Sequence, residues 1–479
     1  MPQIATLVCI GFIFLLFKLD QDRNVQTSRA LWLPVAWLGL NGSRSPSQWM
    51  AAFGLGGFSV AAPDQYLEGS PLDRNVFLAI TVLGIIVLAQ RQKAIRLLRA
   101  NGAILLYFSY CLASLVWSDF PDVTAKRWFK AVGDLVMVLI VLTDSDPVGA
   151  TKRFFARVGF VWLPISVLFI RYFPVLGRDF HPNGNGLAWQ ASYTGIATSK
   201  NMLGMITLLI AIASEWCFLQ ALRERHITRK NGPVIAHGLL IGVAIWLMSM
   251  AQSATALTCL LLGAGMVALT SLRRLGRKPA VVGLYFLGGV AISLFAMFAD
   301  SGGGLLESVG RDSTLTGRTA IWKLALGMAG NPLVGTGFES FWLGARVEKT
   351  WNMYRFHLQE SHNGYLELYL TLGWIGIALF AVLVVIALRN LLATVRHDPQ
   401  MGGLKCAFFL VAIVYNLAEV GFRMQNPIWI LFLFAVIAVP GAAVPKPQPD
   451  FGAGDTEDSV QSEPQADLAL DTWFGQETV

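Results

Sequence analysis

Apolar runs separated by short polar stretches fill most of this chain. Many of the runs approach the roughly 20 residues that a helix needs to cross a bilayer. Twelve of them lie at 3–19, 74–89, 101–117, 131–142, 156–172, 202–222, 234–250, 254–272, 280–299, 364–388, 404–421 and 428–439. A shorter candidate lies at 30–42. The pattern predicts an all-α polytopic membrane protein with twelve or thirteen transmembrane helices, and the first run is expected to be a retained span.

Composition supports a membrane protein, because hydrophobic residues make up 54% of the chain and charged residues only 14%. The five cysteines fall in or beside apolar runs without C-x-x-C spacing, so neither a disulfide framework nor a metal site is indicated. The chain also lacks a glycine-rich phosphate loop of the nucleotide-binding kind. No cofactor, metal or nucleic-acid partner is therefore expected.

Basic residues cluster in alternate connections between the runs, near residues 91–99, 152–157, 223–230, 273–278 and 389–396. Because short cytoplasmic loops are rich in Lys and Arg, these connections are predicted to be cytoplasmic. The N-terminus then lies outside with thirteen spans and inside with twelve. Four regions are expected: N-terminal membrane helices (1–299), a large outer loop domain (300–363), C-terminal membrane helices (364–440) and an acidic, disordered cytoplasmic tail (441–479).

The outer segment after residue 300 carries more arginine than an outer loop should, including Arg311 and Arg318. The guanidinium fork suits phosphate oxygens, so a phosphate-bearing headgroup or a pyrophosphate is a candidate ligand. A solvated basic face is the alternative for each arginine. Arg318 is the strongest candidate, because it begins a predicted helix over 318–327 whose amide groups also attract anions.

His362 lies just before the span that starts near residue 364, at the boundary of the outer segment. A neutral imidazole can accept a hydroxyl proton near neutral pH, so His362 is a candidate base, with a capping or interfacial histidine as the alternative and His357 as a nearby competitor. In a second outer segment, Lys200 is a candidate phosphate contact. Asn201 is predicted to cap the helix that follows.

Two pairs of opposite charges lie one helical turn apart, Glu419 with Arg423 and Lys130 with Asp134. Ionisable residues in membrane spans are candidates for function. Mutual neutralisation is the alternative for both pairs and the favoured interpretation for Lys130 with Asp134. Arg423 emerges on the same predicted side as His362, so it is a further candidate contact for pyrophosphate.

Several short motifs occur along the chain, and their order is more informative than any one of them. They are Gly317-Arg318-x-x-x-Trp322, Asn331-Pro332-Leu333-x-Gly335-x-Gly337, His362-Asn363-x-x-Leu366 and Gly373-x-x-Gly376, preceded by Ser70-Pro71-Leu72-Asp73-Arg74, Trp117-Ser118-Asp119-x-Pro121 and Ser199-Lys200-Asn201-x-x-Gly204. In this order the chain, from about residue 70 to 427, resembles the O-antigen ligase and Wzy-type polysaccharide polymerase superfamily. The earlier motifs are similar to those of ExoQ-like exopolysaccharide polymerases.

The resemblance implies a GT-C-like membrane glycosyltransferase of the bacterial inner membrane that acts at its periplasmic face. It implies an undecaprenyl-pyrophosphate-linked oligosaccharide as substrate and inverting, metal-independent transfer. His362 is implied as the base and Arg318 as the pyrophosphate ligand. Asn363, Asn201 and Glu419 are candidate supporting residues of the same site. Relatives often carry an arginine after the serine of one outer turn, where this chain has Gln252-Ser253-Ala254. Lys200, Arg311 or Arg423 would then supply the second pyrophosphate contact.

Three functions stay open at this level. A polymerase would join lipid-linked repeat units, and a ligase would move a finished glycan to a lipid A core or another acceptor. A transporter would use Glu419, Glu215 and Asp134 as proton relays. Further candidate partners are membrane lipid and proteins that regulate chain length or export the polymer.

Overall fold

A computed structural model describes residues 1–21, 27–56, 69–182, 189–272, 274–300, 314–354 and 358–439. Most of these residues are helical, which confirms the all-α polytopic class. Of the residues singled out above, Arg311 and His357 lie outside the described residues, as does the acidic tail.

The first half of the chain contains short and long helices in alternation. They are α1 (Pro2–Leu19), α2 (Trp32–Asn41), α3 (Pro46–Ala52), α4 (Pro71–Ala89), α5 (Gln92–Ala100), α6 (Gly102–Ala113), α7 (Pro121–Leu142), α8 (Pro147–Tyr172) and the single turn α9 (Pro174–Gly177). Two 3-10 turns lie at Arg29–Leu31 and Ser114–Val116. A proline in the first turn begins several of these helices, because its missing N–H would have no helical partner there.

A β-hairpin separates the two halves: β1 (Arg178–Pro182) pairs antiparallel with β2 (Trp189–Tyr193), with Arg178 opposite Tyr193. The helices that follow are α10 (Lys200–Thr228), α11 (Gly232–Ala251), α12 (Ala254–Ser271), α13 (Pro279–Asp300), α14 (Thr314–Gly327), α15 (Ala345–Met353), α16 (Gly364–His397), α17 (Pro399–Ala418) and α18 (Pro427–Val436).

Each of the thirteen predicted runs overlaps a helix, yet not every helix could span a bilayer by length and composition. Within the described ranges nine helices could do so, or ten if α5 with the segment 102–116, bent by 84°, is one broken span. The predicted spans that could not cross a bilayer are the short helices α2 and α18, of 10 residues each, and α7. Helix α7 is long enough, but charged residues such as Lys126, Lys130 and Asp134 interrupt its apolar surface.

The centre of the molecule is formed by α17 and α18, whose residues are almost all buried. Helices that are apolar on every face need neighbours on every face, and α17 contacts α12, α13, α16 and α18. Phe408, Phe409, Phe432 and Phe434 pack against aromatic rings of adjacent helices in this core. The end of α17 is thereby fixed, and the residues that follow it enter the candidate site.

Helix α16 is broken at Gly373, which has φ 63°. The loop 331–337 runs against this break: Trp374 N donates to Pro332 O, Ile375 N to Leu333 O, and Gly337 N to Thr371 O, at 2.9–3.0 Å. The motif Asn331-Pro332-Leu333-x-Gly335-x-Gly337 therefore satisfies backbone groups that the break exposes. A Cβ on Gly373 would lie 2.3 Å from a Leu333 backbone atom, so this approach requires glycine.

Candidate active site

His362 sits on a tight turn immediately before α16. Its φ of 54° is unusual for a residue with a side chain, and such backbone strain often marks a functional position. Asn363 caps α16, its side-chain oxygen accepting from Tyr365 N and Leu366 N at 3.0 Å each. Its amide nitrogen donates to Leu417 O at the end of α17. Asn363 thus fixes the turn that presents His362.

The end of α17 approaches the same turn through a second backbone contact. Gly364 N donates to Glu419 O, and a Cβ on Gly364 would lie 1.9 Å from the Asn416 side-chain oxygen. That oxygen accepts from Gly421 N and Phe422 N at 2.8 Å each, which turns the chain after α17. Glycine at 364 and asparagine at 416 therefore bring Glu419 next to His362.

Two carboxylates face the same nitrogen of His362. Its Nδ1 lies 3.2 Å from Glu360 Oε1 and 3.4 Å from Glu419 Oε2. Burial lowers the pKa of His362, but the hydrogen bond to Glu419 and the charges of Glu360 and Glu419 outweigh it, and the pKa is raised above its ordinary value. With Nδ1–H donated to a carboxylate, Nε2 holds the lone pair that can accept a proton.

Two arginines neutralise these carboxylates from either side. Arg318 Nη2 lies 3.1 Å from Glu419 Oε1, and Arg423 Nη1 lies 3.4 Å from Glu360 Oε2. The alternative in which Glu419 pairs with Arg423 does not describe these contacts, because α17 ends at Ala418 and Glu419 contacts Arg318 while Arg423 contacts Glu360. Arg423 also lies 4.0 Å from Glu339 Oε2.

The arginine and tryptophan of the Gly317-Arg318-x-x-x-Trp322 motif reach the site from one face of α14. Residues four apart on a helix are neighbours, so both side chains point toward the His362 turn. Trp322 Nε1 donates to Ser361 O at 2.8 Å, and Ser361 N donates to Glu367 Oε1 at 2.5 Å. Arg318 thus contacts the carboxylate beside His362 while Trp322 holds the backbone on the other side of the turn.

Lys200 and Asn201 lie at the start of α10, and Asn201 reaches the cluster. Asn201 Nδ2 donates to Glu419 Oε1 at 3.2 Å, so Asn201 belongs to the His362 cluster. The predicted capping role of Asn201 is wrong, because the Ser199 side chain accepts from Met202 N and is the cap. Lys200 is exposed and lines a cavity of about 290 Å³ together with Asn201 and Gln252.

The structure also corrects the predicted pairing of Lys130 with Asp134. Asp134 is fully buried and accepts from Trp37 Nε1 and from Gln425 N, at 2.8 Å each, rather than pairing with Lys130. Its carboxylate thereby fixes the loop that bears Arg423. Sequence reasoning missed Glu360, although a carboxylate two residues before a candidate base was a signal that could have singled it out.

Comparison with known proteins provides independent evidence about the family. Residues 237–381 match the family model described as O-antigen ligase. The chain is 28% identical over 305 residues to the exopolysaccharide production protein ExoQ of Rhizobium meliloti (strain 1021). The predicted resemblance to the ExoQ-like O-antigen ligase and Wzy family is confirmed. The alignment covers 61% of this chain and 66% of ExoQ, just under two thirds of that protein, and the family match contains Arg318, Glu360 and His362.

The cluster could also be read as a metal site, since ligand atoms of Glu360, His362 and Glu419 lie within 4.8 Å of one another. Both carboxylates, however, already contact a guanidinium group. A divalent cation bound to them would be held close to Arg318 and Arg423, at a cost in charge repulsion. The arrangement therefore fits proton transfer by His362 better than it fits a metal ion.

Proposed function

We propose that this membrane protein polymerises undecaprenyl-pyrophosphate-linked oligosaccharide repeat units into exopolysaccharide or O-antigen, at the periplasmic face of the bacterial inner membrane. The family comparison supports an enzyme of the polymerase or ligase class. The observation that carries the proposal is the imidazole of His362, placed between two carboxylates that two arginines neutralise. It combines a proton acceptor with cationic groups for a phosphorylated substrate in one outer site.

In the proposed reaction, a hydroxyl of the acceptor sugar attacks the anomeric carbon of the donor sugar. Its proton passes to Nε2 of His362, while Nδ1–H stays hydrogen-bonded to a carboxylate. The bond between the anomeric carbon and the pyrophosphate oxygen breaks, and its electron pair leaves with the lipid pyrophosphate. Glu360 and Glu419 stabilise the imidazolium that forms, and the anomeric centre is inverted.

Arginine side chains would bind the lipid pyrophosphate as it leaves the donor sugar. Arg318 is 23% exposed at its side chain, so it can contact a substrate phosphate while its other edge faces Glu419. Arg423 is 28% exposed and is similarly placed beside Glu360. Lys200, exposed near Asn201, is a third phosphate contact from another helix. Arg311, also proposed for this role, lies outside the described residues.

The test is transfer by the purified full-length protein in detergent, supplied with the lipid-pyrophosphate-linked repeat unit of the producing strain. Wild type should form longer lipid-linked chains, and His362→Ala should form none while eluting as the same monodisperse species on size exclusion. His226→Ala, which replaces a histidine in the last turn of α10, is the matched control and should retain wild-type activity. Chain lengthening by His362→Ala would contradict the proposed base.

A ligase is the second candidate, because the matching family model is described as O-antigen ligase. The same residues would then move a finished glycan to a lipid A core or another acceptor. Glycans extracted from a deletion strain separate the two functions. Single repeat units on lipid indicate a lost polymerase, whereas long chains that stay on the lipid carrier indicate a lost ligase.

A further inference from the structure

A polar cavity of about 290 Å³ lies beside the His362 cluster, and of its lining only Lys200 and Asn201 have a role in the chemistry described above. Three segments build its wall: the β-hairpin, the turn between α11 and α12, and the start of α10. Asn201 belongs to both sites, since it lines the cavity and donates to Glu419 Oε1 at 3.2 Å. A molecule held in the cavity would therefore lie one residue away from the carboxylate that contacts His362.

The side chains that line the cavity are suited to a ligand with many hydroxyl groups. Gln252 can donate and accept hydrogen bonds, Asp179 accepts, and Lys200 donates. The Ser192 hydroxyl donates to Asp179 O at 3.4 Å and can accept from a ligand. Tyr193 adds an aromatic ring to the same wall. A few polar groups around a partly apolar concave surface are typical of small-ligand sites, and this mixture of donors and acceptors matches the alternating needs of sugar hydroxyls.

The charges argue against a second phosphate site in the body of the cavity. Asp179 and Lys200 contribute one negative and one positive charge to its lining. A phosphate inside the cavity would be repelled by the carboxylate of Asp179, so the exposed Lys200 can serve as the third phosphate contact only from outside the cavity. A sugar hydroxyl meets no such conflict, because it can donate to the carboxylate and accept from the ammonium group.

The hairpin wall is held in place at its base. Arg44 donates to Leu176 O at 2.6 Å and to Ile196 O at 3.0 Å, which ties together the segments before and after the hairpin. Thr194 N and Gly195 N both donate to Gly177 O at the same point. Fixed walls reduce the ordering that a ligand must impose when it binds.

The opposite wall is a turn with a left-handed residue. Gln252 has φ 48° and ends α11, and Ser253 caps α12 by accepting from Ala256 N. A glutamine at this position gains nothing from the backbone conformation, which glycine or asparagine adopts more readily. Its long amide side chain is instead well placed to bond a ligand in the cavity.

We infer that this cavity is a saccharide subsite, which binds sugar hydroxyls of the lipid-linked substrate next to the reacting centre. The inference rests on the proposed function, because the saccharide is the one carried by that substrate. It adds a specificity surface made by Ser192, Tyr193 and Gln252 to the site that contains His362.

The test uses two variants that keep the local backbone. Gln252→Gly removes the amide while favouring the left-handed turn, and Ser192→Ala removes one hydroxyl. A lost hydrogen bond to an uncharged group corresponds to roughly a fivefold loss of affinity, so the double variant should raise the KM for the lipid-linked repeat unit by about tenfold or more. The kcat at saturating substrate should change little, since no group that touches the reacting atoms is altered. Gln92→Ala, at the start of α5, is the control and should leave KM unchanged.

Binding is measured separately from turnover in the full-length His362→Ala protein. The probe is the free oligosaccharide released by mild acid from the lipid-linked repeat unit, followed by saturation-transfer NMR. A signal that Ser192→Ala and Gln252→Gly together abolish supports the subsite, whether or not the wild-type protein elongates chains. An unchanged signal together with an unchanged KM would overturn it, while elongation by wild type would leave the proposed function intact.

Discussion

Glu419→Gln is the most direct probe of how the His362 cluster works. The substitution keeps the size of the side chain and its hydrogen bond from Asn201, but it removes the negative charge 3.4 Å from His362 Nδ1. It also removes the ion pair with Arg318. Because Glu419 is only 6% exposed, solvent replaces little of what is lost.

The expected loss follows from the hydrogen bond between Glu419 and the imidazolium. Hydrogen bonds to charged groups contribute about 1.5–3 kcal/mol, and each 1.36 kcal/mol corresponds to tenfold in rate. Glu360 remains 3.2 Å from the same nitrogen and keeps the tautomer, so the lower part of that range applies. We therefore expect kcat to fall by roughly 10- to 30-fold rather than to vanish.

The pH dependence of the rate distinguishes the loss of the Glu419 charge from a general disturbance of the structure. A base works when it is deprotonated, so activity rises with pH as His362 loses its proton. The charges of Glu360 and Glu419 raise the pKa of His362, which places this rise at higher pH than for an ordinary histidine. Removing the Glu419 charge lowers that pKa, so the acidic limb of the profile should move to lower pH even as the maximum rate falls.

The assay is the rate of chain elongation in detergent between pH 5 and 9, with Glu348→Gln on α15 as the control. The control removes a carboxylate from the same segment between α13 and α16 and should leave the profile unchanged. An unshifted acidic limb in a folded Glu419→Gln protein would refute the assignment of His362 as the base. A wild-type kcat would refute the role of Glu419.

Three further outcomes are expected. Arg318→Lys should raise the KM for the lipid-pyrophosphate substrate by about tenfold or more, because an ammonium cannot replace the guanidinium fork. Steady-state kinetics measures this KM, and an unchanged value would count against phosphate binding at Arg318. Gly364→Ala should lower stability by about 1–3 kcal/mol or more, because the new Cβ would lie 1.9 Å from the Asn416 oxygen, and a thermal melt matching wild type would show that the turn can adjust. EDTA should leave elongation unchanged, and activity that metal restores would instead assign Glu360, His362 and Glu419 to a cation.

Much of the helical architecture was predictable, because hydrophobic runs long enough to cross a bilayer leave few alternatives. Every predicted run lies on a helix. The number of spans was less predictable, since α2 and α18 are too short to span a bilayer, and α18 is entirely buried inside the protein. Hydropathy alone does not separate a short buried helix from a span, and the phenylalanines of α18 serve the protein core rather than contact with lipid.

In the candidate site, several of the residues that the sequence singled out lie close together, whereas Glu360 was missed and some partners were mispredicted. His362, Arg318, Asn201 and Glu419 come together, although they lie on four different parts of the chain. The errors concerned local pairs. Lys130 was paired with Asp134 by helical spacing, but Asp134 accepts from Trp37 and Gln425. The alternative pairing of Glu419 with Arg423 also assumed helical spacing, which does not apply once α17 has ended at Ala418. Contacts across the fold, such as Asp134 with Gln425, leave no such local signal.

The charge balance of the cluster leads to a last prediction about donor binding. Two carboxylates face two guanidinium groups, so with neutral His362 the five side chains carry no net charge. A bound pyrophosphate adds negative charge beside Arg318, which favours the protonated imidazole and makes His362 a stronger base when the donor is present. The acidic limb of kcat, which reports the enzyme–substrate complex, should then lie at higher pH than that of kcat/KM, which reports the free enzyme. Coincident limbs would show that the pyrophosphate binds too far from His362 to influence it, and would remove Arg318 as its ligand.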